Sequence, residues 1–220
     1  MKLVLASGSQ RRRELLTMCG YDYEIIVSNA DEMIDENDPE SFVRALSFRK
    51  AKEVFDRLFA VGRRDFAVIG SDTVVAFQKD GETKPVIIGK PKDAKDAVRI
   101  LSMLSGKTHR VFTGVSVIAD ITDENAAAQC SIRKKEEIQT ECSITEVTFE
   151  TLSPDEITDY VNSGDPLDKA GSYGIQGPFG MFVREIRGNY FTVIGMPIPV
   201  LYKMLKKIGI LPHGFYERIE

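Results

Sequence analysis

The run Ser7-Gly8-Ser9-Gln10-Arg11-Arg12-Arg13 separates a short apolar segment, Lys2 to Ala6, from a segment with helical spacing. Residues of these types in that place can bind an anion. A helix start offers free backbone N–H groups and the positive end of the dipole. Serine hydroxyls add donors, and guanidinium groups bind phosphate in a bidentate fashion. Three positive charges in the first helical turn oppose the dipole, so an anionic ligand relieves a conflict built into the sequence. Successive helical residues lie about 100° apart, so the three arginines cannot all face one ligand, and at least one of them is simply solvated. The other reading of the run is a surface charge cluster. The chain lacks Gly-x-x-x-x-Gly-Lys-Ser/Thr and is not a P-loop protein of the usual kind.

Other residues stand where their type is unexpected. Lys50 falls on the stripe formed by Val43, Leu46, Val54 and Leu58, so it either snorkels or carries a point charge into a cleft. Asp72 sits between Val68-Ile69 and Val74-Val75. Aspartate is disfavoured in strands, and a buried carboxylate demands a cation or hydrogen bonds. A bulge aspartate beside Gly70 is the competing reading. Asp31-Glu32 is an acidic pair after the second strand-like run, and Gly89-Lys90-Pro91 fixes a lysine between a glycine and a rigid proline. The stretch from Gly164 to Gly177 carries glycines at 164, 171, 174 and 177, so either its backbone can approach a ligand or it is a structural loop. Together these groups offer cations for phosphates, carboxylates for a divalent metal and, at Gln176, an amide for a base.

The elements that must position them alternate. Strands are expected at Leu3–Leu5, Tyr23–Val27, Phe66–Gly70, Thr73–Phe77, Val86–Ile88, Val111–Ala119, Ile144–Phe149, Met181–Ile186 and Tyr190–Ile194. Helices are expected from Arg11, with Leu15, Leu16 and Met18 inward, and from Asp38-Pro39 to about Gly62. Three more are expected: from Asp93 to Gly106, from the capping box Ser153-Pro154-Asp155-Glu156 to about Gly164, and after Pro197. Lys79-Asp80-Gly81 reads as a turn, and residues 120–142 as a polar excursion, a long hairpin. The pattern implies an α/β fold with a mixed sheet flanked by helices, a single domain over 1–220 with two lobes sharing one core.

A net charge of −4 and a pI near 5.4 exclude the extended basic face that tight duplex DNA binding requires, while leaving room for a local phosphate site. The three cysteines, Cys19, Cys130 and Cys142, fit neither a disulfide framework nor a zinc pattern, which points to free thiols in a reducing cytoplasm. With two histidines, any metal must rest on oxygen ligands. No segment reads as a signal peptide or a membrane span.

Leu5-Ala6-Ser7-Gly8-Ser9-Gln10-Arg11-Arg12-Arg13-Glu14-Leu15-Leu16 resembles the opening signature of the Maf family of nucleotide pyrophosphatases. Gly70-Ser71-Asp72-Thr73-Val74-Val75, Gly89-Lys90-Pro91, Leu104-Ser105-Gly106-Lys107-Thr108-His109, Gly164 to Gly177 and Gly195-Met196-Pro197 follow in family order. The resemblance implies an elongated α/β fold of two lobes around a cleft, related to inosine-triphosphate pyrophosphatases, and a homodimer. It implies hydrolysis between the α and β phosphates of noncanonical or excess nucleotides, with a divalent cation: Mg²⁺, or Mn²⁺ or Co²⁺ in its place. By position the general base falls on Asp72. The phosphate-binding and catalytic roles fall on Ser7, Arg12, Glu32, Lys50 and Lys90, with Glu32 also at the metal, and substrate selection on Arg11, Thr73 and Gln176. Asp72 as a metal ligand remains the alternative to Asp72 as the base. The Tyr-Gly-Ile-Gln-Gly form at 173–177 resembles the branch acting on dTTP and UTP. Gln10 departs from the family's usual proline, and residues 79–86 and 120–142 are longer than its usual pattern. Two other functions use similar residues: a nucleotide-sensing module without turnover, and a nucleotidyltransferase.

Overall fold

The structure is a computed structural model that describes residues 1–78, 81–122 and 134–214. One seven-stranded sheet runs in the order β2-β1-β3-β5-β6-β7, with β4 also paired to β3. Its strands are β1 (Lys2–Leu5), β2 (Tyr23–Ile25), β3 (Phe66–Phe77), β4 (Val86–Ile88), β5 (Thr108–Thr122), β6 (Lys134–Phe149) and β7 (Val183–Arg187). The helices are α1 (Gln10–Met18), α2 (Pro39–Ala60), α3 (Ala94–Leu104), α4 (Pro154–Asn162), α5 (Tyr190–Ile194) and α6 (Ile198–Lys207). The continuous apolar run of β1 suits its place between two parallel neighbours, β2 and β3. The remaining pairs are antiparallel. This is the mixed sheet flanked by helices that the alternating pattern implies.

Two apolar clusters lie on one face of the sheet. Around one end of β3, the residues Val75 and Phe77 pack with Leu101 and Leu104 of α3, Ile157 and Val161 of α4, and Phe149. Around the other, Leu3 and Leu5 pack with Leu15 and Leu16 of α1 and with Leu201, Met204 and Leu205 of α6. Helix α2 covers the opposite face of the same sheet. Asp38 caps it by accepting the Ser41 N–H at 2.9 Å, and Pro39 opens its first turn. The helix lies flush with the strands because they present glycine there: a methyl on Gly70 would stand 2.1 Å from the Ser47 carbonyl oxygen, and one on Gly114 2.2 Å from that of Val43.

Several sequence expectations need correction. β3 is one continuous strand through Ser71 and Asp72, with Asp72 opposite Gly114, so neither an interruption nor a bulge separates two strands. Tyr190–Ile194, rich in strand-forming types, is helical; the Asn189 side chain caps it through the Phe191 N–H at 2.8 Å. Met18 faces outward at 64% exposure while Leu15 and Leu16 are buried. Residues 120–122 and 134–142 are the regular arms of a long hairpin, paired as far as Thr122 with Lys134. The tip of that hairpin, Cys130 and the 79–80 part of the expected turn lie outside the described residues, whereas β4 does return against β3. The Ser153–Glu156 capping box is present, and Cys19 and Cys142 are free thiols. Among the described residues no helix is long and apolar enough to cross a membrane.

Candidate active site

A break in strand pairing creates the site. Along one edge of β3, β1 pairs in parallel up to Ile69, and β4 pairs antiparallel from Val75 onward. Neither takes residues 70–74. Because β1 runs with β3 and β4 against it, both end at this gap. Ser7 and α1 leave β1 there, and Gly89-Lys90 leaves β4 there. Ligand sites in α/β sheets form at such ends, where chains part to either side.

Side chains from β3 alternate across the gap. Val68 and Val74 pack on the α2 side, so Asp72 shares that face, while Ser71 and Thr73 take the other. The close approach of α2 then brings Lys50 over the strand. Its Nζ lies 2.7 Å from Asp72 Oδ1 and 2.8 Å from Glu32 Oε1. The side chains of Lys50 and Asp72 are both only 13% exposed, whereas that of Glu32 is 67% exposed. Lys50 therefore does not snorkel to the rim; its charge ends on two carboxylates inside the cleft. The Lys50 hydrogen bond holds the Glu32 carboxyl below the usual range, with Lys90 and Arg12 adding to the effect.

The three arginines diverge, as helical geometry requires. Arg12 turns inward, donating to the Gly195 carbonyl at 2.8 Å, to Ser7 Oγ at 3.2 Å and to Thr73 Oγ1 at 3.3 Å. Burial lowers its pKa, and the charges of Asp72 and Glu32 oppose that shift. Arg11 reaches across to Asp168 at 3.2 Å, and Arg13 folds back on the Gly8 carbonyl. Ser9 supplies no side-chain cap, so the first turn of α1 keeps open donors beside the gap. Gln10 begins the helix where the family usually has proline, and bonds to Glu14 one turn on.

The glycine-rich segment forms short 3-10 turns rather than a plain loop. Gly171, at φ 72°, donates to the Gly89 carbonyl at 3.0 Å and so docks the segment on the strap that carries Lys90. Tyr160 donates to Asp165 and accepts from the Gly174 N–H, while Lys169 bonds Asp165 and Asp168. Gln176 is exposed, and its amide has no hydrogen-bond partner among the described residues.

The structure thus gathers Ser7, Arg12, Glu32, Lys50, Asp72, Thr73 and Lys90 around the gap. Arg11 stands at its rim, and Gln176 lies on the docked loop, in contact with none of them. Among the described residues no set of three His, Cys, Asp or Glu side chains could enclose a metal. Glu32 and Asp72 are the acidic pair brought together on Lys50. Sequence reasoning missed Asp168, Tyr160 and the Gly195 carbonyl, whose roles depend on contacts from 14 to 183 residues away.

Known proteins resemble this chain over most of its length. The family model described as Maf-like protein matches residues 2–208. The chain belongs to the Maf family. A dTTP/UTP pyrophosphatase of Agathobacter rectalis is 40% identical over 217 residues, covering 95% of this chain and 98% of that protein. One from Bacillus thuringiensis subsp. konkukian is 42% identical over 210 residues, covering 95% and 96%. Among solved structures, the Staphylococcus aureus Ham1 protein is similar in fold, with a TM-score of 0.50 at 15% identity over 94% of this chain and 100% of that one. The chain is thus similar in fold to a protein that differs from it almost throughout in sequence.

Proposed function

We propose that this chain hydrolyses dTTP and UTP between the α and β phosphates, releasing the nucleoside monophosphate and pyrophosphate. The observation that carries the reading is the gathering of cations on two carboxylates at the gap in β3: Lys50 on Asp72 and Glu32, Arg12 beside them with Ser7 on its guanidinium, and Lys90 acting on Glu32. The names of the similar proteins support the choice of substrate. Arg12, Lys50 and Lys90 hold the phosphate chain and neutralise the charge that grows on the leaving pyrophosphate. Ser7 and the open N–H groups of α1 add donors to phosphate oxygens. Asp72 accepts the proton of the attacking water.

The residues fit a divalent cation of the magnesium type. Such an ion needs one or two carboxylates, with phosphate oxygens and water completing its shell. Glu32 and Asp72 each give one oxygen to Lys50 and keep a second. Glu32 would hold the ion, which would supply Lewis-acid polarisation of the phosphate oxygens. Lys50 keeps the two carboxylates from repelling one another until phosphate draws its charge away.

Base selection is assigned to Gln176, with Arg11 and Thr73 shaping the approach. Fixed in one orientation, its amide offers a donor and an acceptor that match the carbonyl and N3–H edge of uracil or thymine and mismatch cytosine. Incubating the purified protein with each common triphosphate and Mg²⁺, with chromatographic identification of products, tests the whole reading. Monophosphate and pyrophosphate should form fastest from dTTP and UTP, and Gln176→Glu should lose the preference. Diphosphate and orthophosphate as products would overturn the cleavage site, and a purine hydrolysed faster would overturn the base assignment. Pyrophosphate formed only with a phosphorylated co-substrate would mark a nucleotidyltransferase instead.

A further inference from the structure

Glu32 poses a structural problem. It belongs to the irregular segment between β2 and α2, its side chain is mostly exposed, and yet its carboxylate must meet Lys50 inside the cleft. The outer face of α2 resolves this with side chains four residues apart. Arg57 Nη2 donates to the Val27 carbonyl at 3.0 Å. Glu53 Oε2 accepts the Asn29 N–H at 3.0 Å, and Glu53 also pairs with Arg57. Arg49 Nη1 donates to the carbonyls of both Asp31 and Met33, each at 2.9 Å. The segment is thus laid along α2 in reverse direction, residue 27 against 57, 29 against 53, and 31 and 33 against 49.

The Arg49 contacts bracket residue 32. They fix the peptide that leads into Glu32 and the one that follows Met33, and the next residue of the helix, Lys50, takes the Glu32 carboxylate. We propose that Arg49 is a positioning residue, holding the Glu32 carboxylate in the cleft by clamping the carbonyls of Asp31 and Met33. It rests on the reading in which Glu32 takes part in turnover. Arg49 acts on the main chain, with both N–H groups of Nη1 given to carbonyls, whereas the proposed phosphate-binding cations act through their charge. Loss of a clamp that orients a metal-site carboxylate is worth about 10- to 100-fold. Because the loss falls on the geometry of one catalytic group and not on phosphate affinity, it should appear in kcat more than in KM.

The experiment is a double-mutant cycle of Arg49→Gln with Glu32→Gln, using radiolabelled dTTP so that slow rates remain readable, alongside hydrogen exchange of peptides from 26–37. Arg49→Gln should lower kcat about 10-fold with KM changed less than about twofold, and Arg49→Lys should recover part of the loss. In the Glu32→Gln background the same substitution should change kcat less than about twofold, because the group it positions is already gone. Exchange across 26–37 should quicken in Arg49→Gln, while β3 and the buried face of α2 stay protected. A wild-type kcat in Arg49→Gln, or an equal loss in both backgrounds, would overturn the proposal. Full turnover in Glu32→Gln would sink the role of Glu32 itself, and unchanged exchange of 26–37 would separately sink the clamp.

Discussion

At the scale of single residues, the site is a set of charges in mutual compensation. Lys50 neutralises Asp72 and Glu32, and Arg12 lies buried within reach of the same carboxylates. Asp72→Asn should leave a folded protein whose kcat is lower by about 10²- to 10⁴-fold, since an amide cannot accept the proton; steady-state kinetics on the purified variant would sink the assignment if turnover stayed near wild type. Lys50→Met separates two readings of a lysine on an apolar stripe. A snorkelling lysine would tolerate methionine or gain from it. Here the substitution strands a nearly buried Asp72 without its cation, so stability should fall by roughly 2 kcal/mol, about 4–8 °C in Tm, together with turnover. A thermal melt at wild-type temperature would contradict the ion-pair account. The chemistry-bearing residue types were legible because each was out of place in its segment: Asp72 in a strand, Lys50 on an apolar stripe, arginines at a helix start. Asp168 and Arg49 sit where charged residues ordinarily sit, and only tertiary contacts distinguish them.

At the scale of elements, Gly70 and Gly114 decide how near α2 can lie, and hence whether Lys50 meets Asp72. Gly114→Ala would push a methyl against the Val43 carbonyl with main chain on both sides, where no side chain can swing clear. It should cost about 3 kcal/mol in chemical denaturation and also reduce activity by lifting Lys50 from the strand. Retention of full stability would mean that the helix can shift freely. The element order was largely readable, because apolar periodicity, the Asp38-Pro39 and Ser153–Glu156 caps and the turn glycines all act locally. The errors have non-local causes. Ser71 and Asp72 lie mid-strand because Lys50, Gly114 and Gly195 satisfy their polar groups. Residues 190–194 turn helical, against their strand propensity, because the Asn189 cap and the Thr192 carbonyl bond to Thr113 hold them as a single turn over the sheet.

At the scale of the molecule, two apolar clusters lie to either side of the gap, and the one under the glycine-rich segment carries a titration of its own. His109 is buried, with Nε2 3.0 Å from the Tyr173 hydroxyl and its ring edge-on to Phe149. Burial lowers its pKa to about 3. Between the unfolded value of about 6.5 and that folded value, the unfolded chain holds a proton that the folded chain does not. Stability therefore falls as pH falls through this window, by up to about 1.4 kcal/mol per unit. Denaturation of the wild type and of His109→Gln from pH 7 to 4 should show their stability difference shrinking as acid is added; parallel curves would exclude His109 as the source. The other cluster has a consequence for biosynthesis. Its core joins Leu3, Leu5, Leu15 and Leu16 to Leu201, Met204 and Leu205, and Arg12 takes the carbonyl of Gly195. A nascent chain emerges from its N-terminus at about 5–20 residues per second and folds what it can as it goes. The segment bearing Ser7 and Arg12 is made well before residues 195–205; it can pair with β2 and β3 and pack on β5 as they follow, but its contacts with α6 and with the Gly195 carbonyl wait for that later stretch. This corner of the fold is then completed late, and a nascent chain that stops short of α5 carries Arg12 without the Gly195 carbonyl that orients it.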